Sequence, residues 1–282
     1  MVQYARGLLH PTVIPIPSFV RTQSTVRASI MAVAGRSMPA RVFETGGLRL
    51  RFPRVGGPIE GVLLNSAGGI VGGDHQDVAI AIGPQARATI TTQSAEKIYR
   101  ADGVDARITN RLDVGADATL AWLPQATILF DQAQLVRTLD VTLAASATLT
   151  LCESVVFGRI ARGERVITGR LRDRWRVRRD GVLILAEDVR LDGAVGELLA
   201  RPALGGQAVA TATLAHIAPD AECHLEAVRA ALAVAPHEAG CSAWGGMLIV
   251  RLASADPQRL RATLAQIIPI VTNKALPRVW SF

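Results

Sequence analysis

The chain has 282 residues, of which 49% are apolar and 20% charged, with a mean hydropathy of +0.27. This much apolar material can form a folded core, which excludes an intrinsically disordered protein, and no run approaches the roughly 20 apolar residues of a membrane-spanning helix. Three scattered cysteines do not make a disulfide framework, and the N-terminal sequence lacks the pattern of a signal peptide, so we expect a cytoplasmic protein.

The net charge of +7 is concentrated in one segment. Residues 159–179 contain nine arginines and two acidic residues, which accounts for the whole excess, and the rest of the chain is neutral. Of the 31 basic residues only Lys97 and Lys274 are lysines, a bias typical of GC-rich genomes. The basic character is therefore local and gives little support to a nucleic-acid partner.

Residues 1–40 contain several prolines, Ser/Thr clusters and little hydrophobic periodicity. This pattern predicts an irregular N-terminal lead, followed by a single domain over residues 41–282. Within that domain, residues 42–64 predict short strands that are broken by Gly46-Gly47 and by the glycines and proline of residues 56–58.

An internal repeat follows, with three copies spaced 32 and 29 residues apart. Each copy has a turn residue, namely Gly83, Gly115 or Ala144, with apolar side chains three and one residues before it and five and seven residues after it. This period-2 alternation on both sides of a short turn is typical of a strand–turn–strand unit with one buried face. Since such a unit buries its face only against its neighbours, we predict a stacked, solenoid-like β-structure.

Each copy continues into a polar loop, at residues 91–93, 124–125 and 152–153, and then into a short apolar run that ends in an aromatic residue. If the copies stack in register, the three loops meet at one edge of the structure. We therefore predict that Gln93, Gln125 and Glu153 lie near one another.

Later segments predict one hairpin and two helices. Asp180-Gly181 lies between strand-like segments and is typical of a two-residue hairpin turn. Residues 219–235 form an Ala- and Leu-rich stretch without glycine, and residues 254–257 cap a second helix that should end near Ile268, before Pro269. The chain is thus predicted to be mainly β, with stacked β-helix-like layers and about two α-helices in the C-terminal third.

Glycines are densest in residues 65–74, where four fall within six positions. A phosphate-binding loop would require a Gly-Lys-Ser/Thr sequence, and a dinucleotide fingerprint would require a following helix, whereas a strand is predicted here. A tight structural loop and a binding loop both stay open for this segment. The later residues 91–99 include Lys97, whose compact charge fits a specific contact or a solvated loop.

A second candidate is a strand on which five arginines alternate with Leu171, Asp173, Trp175 and Val177. This spacing places the arginines on one face of the strand, where like charges repel one another unless a partner compensates them. Because Trp175 points to the other face, an acidic protein partner is favoured over single-stranded nucleic acid. The arginines of this basic face are Arg170, Arg172, Arg174, Arg176 and Arg178.

Metal-binding and catalytic motifs are weak in this sequence. Cys223, His224, His237 and Cys241 could be arranged as a zinc pattern, but the Cys-Xaa2-Cys spacing is missing, and the adjacent Cys223 and His224 would point apart on a helix. No Ser/His/Asp or Cys/His arrangement indicates nucleophilic catalysis.

Five motifs that follow one another along the chain resemble the family of the urease accessory protein UreD, which is called UreH in some organisms. They lie at residues 65–74, 91–99, 123–130, 158–164 and 276–280. The resemblance covers residues 45–282 and includes the repeat loops. A departure is Ala126, where many members of the family place a carboxylate.

The resemblance implies a β-helix-like, non-enzymatic scaffold that binds apo-urease and the accessory proteins UreF and UreG. In this family, the GTPase activity of UreG supports the insertion of two nickel ions at a carbamylated lysine of urease. Nickel would then be bound only transiently, and no tightly bound cofactor is implied. The resemblance also implies no nucleic-acid partner and no membrane association, and it allows a homodimer within the accessory complex. Weak carboxylate, carbonyl and water ligands suit such transfer better than thiolates do.

The matching motifs imply a set of partner-binding or metal-path residues and no catalytic ones. Because Ala126 offers no carboxylate, Asp131, Glu153 and Glu164 are the candidate nickel ligands. Two other classes stay open: a small-molecule enzyme that uses the loop of residues 65–74 with Lys97, and a nucleic-acid binder that uses the arginine strand. The full set is Asn65, Gly68, Gly69, Gly72, Gly73, Asp74, Thr92, Gln93, Lys97, Tyr99, Pro124, Gln125, Asp131, Glu153, Gly158, Arg159 and Glu164.

Overall fold

The computed structural model of the chain describes residues 21–53 and 58–280. Within these residues the chain forms two β-sheets that share one apolar core, in a β-solenoid of about four turns. Three α-helices lie in the C-terminal part. The prediction of a mainly β, solenoid-like fold is therefore confirmed, with three helices where about two were expected.

The first sheet has seven strands, and the five strands in its middle run parallel to their neighbours, as the turns of a solenoid do. Only the two edge strands pair in antiparallel fashion, through hairpins. In spatial order the strands are β14 (Val182–Gly193), β13 (Gly169–Arg179), β11 (Gln134–Leu143), β8 (Ala106–Val114), β5 (His75–Ile82), β1 (Gln23–Val33) and β2 (Arg36–Thr45).

The second sheet has ten strands, of which eight form a continuous row and two form a short extension. In spatial order the row is β16 (Glu238–Trp244), β17 (Met247–Ser254), β15 (Ala210–Ile217), β12 (Thr148–Phe157), β9 (Thr119–Leu123), β6 (Arg87–Thr92), β4 (Ile59–Asn65) and β3 (Leu48–Arg51). The extension is β10 (Thr127–Leu129), which pairs with β12 and with β7 (Glu96–Ile98).

The strand register matches the spacing of the sequence repeat. Equivalent residues of the three copies pair with one another on both sides of the turn, and their side chains are buried in the core between the sheets. Each large aliphatic side chain buried in this way contributes about 1.5–3 kcal/mol, so a slip by one residue would expose a whole row. The paired positions are Ile80, Leu112 and Val141 before the turn, and Ala88, Leu120 and Leu149 after it.

Residues 21–40 do not form the irregular lead predicted from the sequence. In β1 the side chains of Val26, Ala28 and Ile30 are buried, and the strand pairs with β5 and with β2. The small and polar residues between these positions hide the alternation in the sequence, and the strand that pairs with β1 along its length, β5, lies 52 residues later in the chain. The predicted domain start at residue 41 falls inside β2, and residues 1–20 lie outside the described residues.

The third repeat differs from the other two in that its predicted polar loop does not exist. Residues 152–153 lie inside β12, which continues without a break to Phe157. The Glu153 side chain is only 5% exposed. A buried carboxylate is tolerated in a continuous strand when hydrogen-bond donors satisfy it, and both of its oxygens accept such bonds.

The helices begin and end somewhat differently from the sequence-based boundaries. The first predicted helix is a 3-10 turn (Ala221–His224) followed by α2 (Leu225–Leu232), and an additional short helix, α1 (Val195–Ala200), precedes it. The helix α3 (Pro257–Thr272) is capped by Asp256 as predicted but continues through Pro269. Pro269 has no N–H to donate to the carbonyl four residues earlier, but it lies in the last turn, and Asn273 ends the helix shortly after it in a left-handed conformation.

Two further expectations concern the hairpin and the membrane. Asp180 and Gly181 both have positive φ and form the turn between β13 and β14, as predicted. No helix in residues 21–53 and 58–280 has the length and apolar character to cross a bilayer. All three cysteines are unpaired.

Candidate functional site

The first two repeat loops and residue Glu153 of β12 meet at one edge of the second sheet, which confirms the predicted proximity although the third loop is absent. The Thr92 hydroxyl accepts a hydrogen bond from the Gln125 backbone N–H at 2.9 Å, which joins the first two loops. Gln93, Gln125 and Glu153 line one cavity of about 130 Å³, which we call the polar cavity. Its wall also includes Asn65, Gln76, Glu96, Asn110, Trp122, Thr127 and Arg137, from both sheets.

A buried charge cluster forms the floor of the polar cavity. Arg137 of β11 donates to Asp173 through Nε at 3.0 Å and Nη2 at 2.5 Å, and through Nη1 to Glu153. The same Nη1 reaches the Thr127 hydroxyl at 3.0 Å, and Trp122 Nε1 donates to the other Glu153 oxygen at 2.9 Å. One guanidinium therefore bridges two carboxylates, and Arg137, Glu153 and Asp173 each have at least one hydrogen-bond partner in the cluster.

The local sequence explains why these charges face inward. Each one is in phase with the apolar residues of its strand, as Arg137 is with Leu135 and Leu139. Since Arg137 pairs with Asp173 in the register of β11 and β13, stacking brings the opposite charges together. Burial raises the pKa of Glu153, an effect that Arg137 opposes and Asp173 reinforces. Burial likewise raises the pKa of the Cys152 thiol, which therefore stays protonated.

A second carboxylate, that of Glu96 on β7, also lines the polar cavity. Its oxygens accept hydrogen bonds from Asn65 Nδ2 at 3.0 and 3.2 Å. Burial raises the pKa of Glu96, although Asn65 and Gln76 stabilise the charged form. The Glu96 backbone N–H donates to the Ala126 carbonyl at 3.0 Å, so the two residues are neighbours in the fold, although Glu96 lines the polar cavity and Ala126 does not. Glu96 lies within the motif of residues 91–99 but was not among the site residues predicted from the sequence.

The glycine-rich loop of residues 65–74 has a structural explanation. A Cβ at Gly69 would lie 2.2 Å from Cε2 of Tyr99, and one at Gly72 would lie 2.4 Å from the Val104 carbonyl oxygen. The loop is therefore packed directly against the chain beneath it. Asp74 closes the loop, since its carboxylate accepts the N–H groups of Thr22 at 2.7 Å and Val71 at 2.9 Å.

A larger apolar cavity of about 730 Å³ lies beside the polar cavity. The helix α3 and Trp280 form one side, and β7, β10 and the end of β12 form the other. Its apolar lining includes Tyr99, Ile128, Phe130, Val156, Leu260, Leu264 and Trp280. Its basic residues are Lys97, Arg159, Arg162 and Arg261. Predicted site residues Lys97, Tyr99, Gln125, Gly158 and Arg159 thus share this second cavity.

Two of the three candidate nickel ligands lie outside both cavities and are hydrogen-bonded within the chain. Asp131 accepts from the Ile167 N–H at 2.8 Å and the Thr168 N–H at 3.0 Å. Glu164 accepts from Arg159 Nε at 2.8 Å, and this hydrogen bond holds the pKa of Glu164 below its usual value. Both carboxylates fasten the loop of residues 158–168, and a nickel-binding role for them stays a prediction.

The basic face of β13 is present as predicted, but much of its charge is compensated within the chain. Arg170 pairs with Asp105 at 3.2 Å and Asp192 at 3.3 Å, and Arg172 lies 3.8 Å from Asp188. Arg176 donates to two backbone carbonyls. Within residues 21–53 and 58–280, the side chains of Arg174 and Arg178 make no ion pair or hydrogen bond. These two arginines are therefore what remains for a partner.

The buried side of β13 argues against the binding of single-stranded nucleic acid. Leu171, Asp173, Trp175 and Val177 are all buried, and Trp175 packs in the core between the sheets. A base could not stack on this indole. The arginine strand therefore lacks the aromatic residues of a single-strand binding surface.

The zinc pattern considered from the sequence is not assembled in the described structure. His224 lies instead with His216 and Asp220, whose ligand atoms are all within 4.8 Å of one another. The signal that could have found this group is the regular spacing of four residues from His216 to Asp220 and on to His224. Burial lowers the pKa of His216 to about 4, and the nearby His224 acts in the same direction.

Comparison with known proteins gives one consistent result. The family model described as UreD urease accessory protein matches residues 23–281. The urease accessory protein UreD of Methylobacterium sp. (strain 4-46) is 48% identical over 276 residues, which cover 94% of this chain and 98% of the relative. That of Azorhizobium caulinodans is 45% identical, with the same coverage, and UreD 2 of Methylorubrum populi is 44% identical, covering 98% and 95%. The matched region contains both cavities and the basic face.

Proposed function

Because this chain belongs to the UreD urease accessory protein family, we propose that it supports nickel insertion into urease as a binding scaffold. Family membership assigns it a role in urease maturation. The finer proposal is that it binds apo-urease together with UreF and UreG, and that GTP hydrolysis by UreG drives the insertion. The match over nearly the whole chain carries this proposal.

The two cavities support a scaffold rather than an enzyme. Within the described residues neither cavity is lined by a histidine or a cysteine, so a nucleophile–base pair of the usual kind is not assembled there. The charges of Arg137, Glu153 and Asp173 are directed at one another rather than at open space. The apolar cavity with its basic rim fits a partner segment that carries apolar and acidic side chains.

Nickel is the proposed cargo and is held only transiently. The polar cavity offers carboxylate and amide oxygens from Glu96, Asn65, Gln76, Gln93 and Gln125. Such ligands bind divalent transition metals more weakly than thiolates or several imidazoles do, so a metal ion can be released to the next site. Since Glu153 is already engaged by Arg137 and Trp122, Glu96 is the carboxylate best placed for this role.

We expect the chain to co-purify with UreF, UreG and the urease subunits when all are expressed together, and the recovered urease to contain nickel. The measurement is a pull-down through a tag on this chain, with metal analysis of the recovered urease and a GTPase assay of each fraction. The purified chain alone should hydrolyse no GTP. Expression without UreG is the control and should yield complexes with urease that lacks nickel. Failure to recover any complex with all partners present contradicts the proposal.

A separate prediction concerns Arg174 and Arg178 of the basic face. Reversing both charges to glutamate should weaken the recovery of a protein partner by about tenfold, because mutating charged groups at an interface changes association and its salt dependence. The thermal unfolding midpoint should change little at Arg178, which is exposed. Arg229→Glu on α2 reverses an exposed charge elsewhere and is the matched control. Equal recovery of the double variant and wild type would remove β13 from the interface.

A further inference from the structure

His216, Asp220 and His224 form a compact group where β15 ends and α2 begins. One potential ligand atom from each side chain lies within 4.8 Å of the other two. The two imidazole rings meet edge to face, with their centroids 5.4 Å apart. We propose that these three side chains bind a divalent first-row transition-metal ion.

The donor set and its spacing fit such an ion. Two imidazole nitrogens and one carboxylate oxygen suit Zn²⁺, Ni²⁺ or Cu²⁺, whereas Ca²⁺ and Mg²⁺ prefer oxygen donors alone. Donors about 2.1 Å from a common tetrahedral ion are about 3.4 Å apart, so side-chain rotations must bring the three donor atoms, now within 4.8 Å of one another, closer together. Three protein ligands leave room for water or for a donor from another molecule.

The buried histidine is already oriented by a neighbour. His216 Nδ1 lies 2.9 Å from the hydroxyl of Thr150, and both residues are buried. A hydrogen bond to one ring nitrogen fixes the ring and leaves Nε2 for a metal, which is the common arrangement at histidine-ligated metal centres. Thr150 lies on the adjacent strand β12, so the solenoid itself positions this ligand.

The backbone that carries the other two ligands is held in place. The 3-10 turn Ala221–His224 is fixed to the turn between β16 and β17, where Glu222 accepts the Gly246 N–H at 2.8 Å. The Gly246 carbonyl in turn accepts the Ala218 N–H at 3.0 Å. Asp220 precedes the 3-10 turn, but its side chain makes no capping hydrogen bond. Its carboxylate is therefore available as a ligand on a rigid segment.

The proposed site is separate from the two cavities, since none of its three residues lines either one. It therefore stands independently of the role in nickel insertion proposed above. Cys223 is exposed and adjoins His224 in sequence, yet it is not part of the group. This distinction allows a direct test of the ligand set.

The test uses the full chain without a polyhistidine tag and titrates it separately with Ni²⁺ and Zn²⁺ against a competing chelator. We expect one equivalent of at least one of these ions to bind, and Asp220→Asn or His224→Gln to weaken it at least about tenfold. In the wild-type protein, side-chain NMR of the imidazole nitrogens should show shifts of His216 and His224 while His75 is unchanged. This second readout does not depend on how a variant folds.

Cys223→Ser and His75→Gln are the matched controls and should bind as the wild type does. His75 is a useful comparison because its Nε2 also lies near a threonine hydroxyl, that of Thr109, but among the described residues it belongs to no such group of potential ligands. Unchanged affinity in both Asp220→Asn and His224→Gln overturns the proposal. So does a loss confined to Cys223→Ser, or a titration in which neither ion shifts the two imidazoles.

Discussion

Replacing Arg137 with methionine is expected to lower the free energy of unfolding by about 3–5 kcal/mol, because it leaves Glu153 and Asp173 buried without a cation. Arg137 is 3% exposed, and its guanidinium bonds both carboxylates and Thr127. Methionine keeps the apolar stem of the side chain but lacks Cζ and the two Nη atoms, so the loss combines the missing charge with some lost packing. Urea unfolding followed by circular dichroism measures it.

The loss should depend on pH in a definite direction. Burial already raises the pKa of Glu153, with Arg137 opposing the rise. Without Arg137 the folded-state pKa moves further above the unfolded value, and a group shifted in this direction stabilises the fold at low pH and loses that contribution as pH rises. The deficit relative to wild type should therefore be smaller at about pH 5 than at about pH 8.

Two variants complete the test of the buried cluster. Arg137→Met with Glu153→Gln removes one of the unpaired charges and should recover part of the lost stability. Arg172→Met removes an exposed arginine that lies 3.8 Å from Asp188, and it should cost at most about 1 kcal/mol. If Arg137→Met is no more harmful than Arg172→Met, the cluster does not contribute as described.

Replacing Trp280 with alanine is expected to cost about 3–5 kcal/mol, the range for removing a large aromatic side chain from a core. Trp280 is 4% exposed, and its Nε1 donates to the Leu123 carbonyl at 3.1 Å. The guanidinium of Arg261 lies 5.5 Å from the ring centre and its Nη2 donates to the Trp280 carbonyl at 2.6 Å. The residue therefore fastens the C-terminal segment across the end of β9 and forms a wall of the apolar cavity.

The matched control is Trp244→Ala, because Trp244 is 50% exposed on the edge strand β16 and should cost less than about 1 kcal/mol. Trp280→Phe separates packing from hydrogen bonding. The Leu123 carbonyl also accepts from the Thr91 hydroxyl at 2.7 Å, so losing the indole N–H should cost only about 1 kcal/mol. Similar losses for Trp280→Ala and Trp244→Ala in thermal unfolding would contradict this assignment.

The repeat was the part of the fold that sequence reasoning could reach. The register of six strands follows from apolar positions at fixed distances from three turn residues, Gly83, Gly115 and Ala144. Only one alignment buries the apolar faces of all three copies against their neighbours. The same logic placed Gln93, Gln125 and Glu153 at one cavity. The prediction of a loop at residues 152–153 was wrong, because a strand can continue through a buried carboxylate when hydrogen-bond donors from other parts of the chain satisfy it.

The charge distribution was likewise predicted in part from the sequence and decided in part by the tertiary structure. Composition located the excess of +7 in residues 159–179, and alternation placed five arginines on one face of β13. Only the pairing of β13 with β14 revealed that Asp188 and Asp192 compensate part of that face.

By itself, the sequence determined the solenoid repeat, the faces of its strands and its family, because these depend on spacing along the chain. The tertiary structure decided which polar groups meet. Arg137 and Asp173 are 36 residues apart, as are Ile167 and Asp131, and His216 contacts Thr150 across 66 residues. Such contacts exist only after folding, since each partner is supplied by a different strand or loop of the sheets.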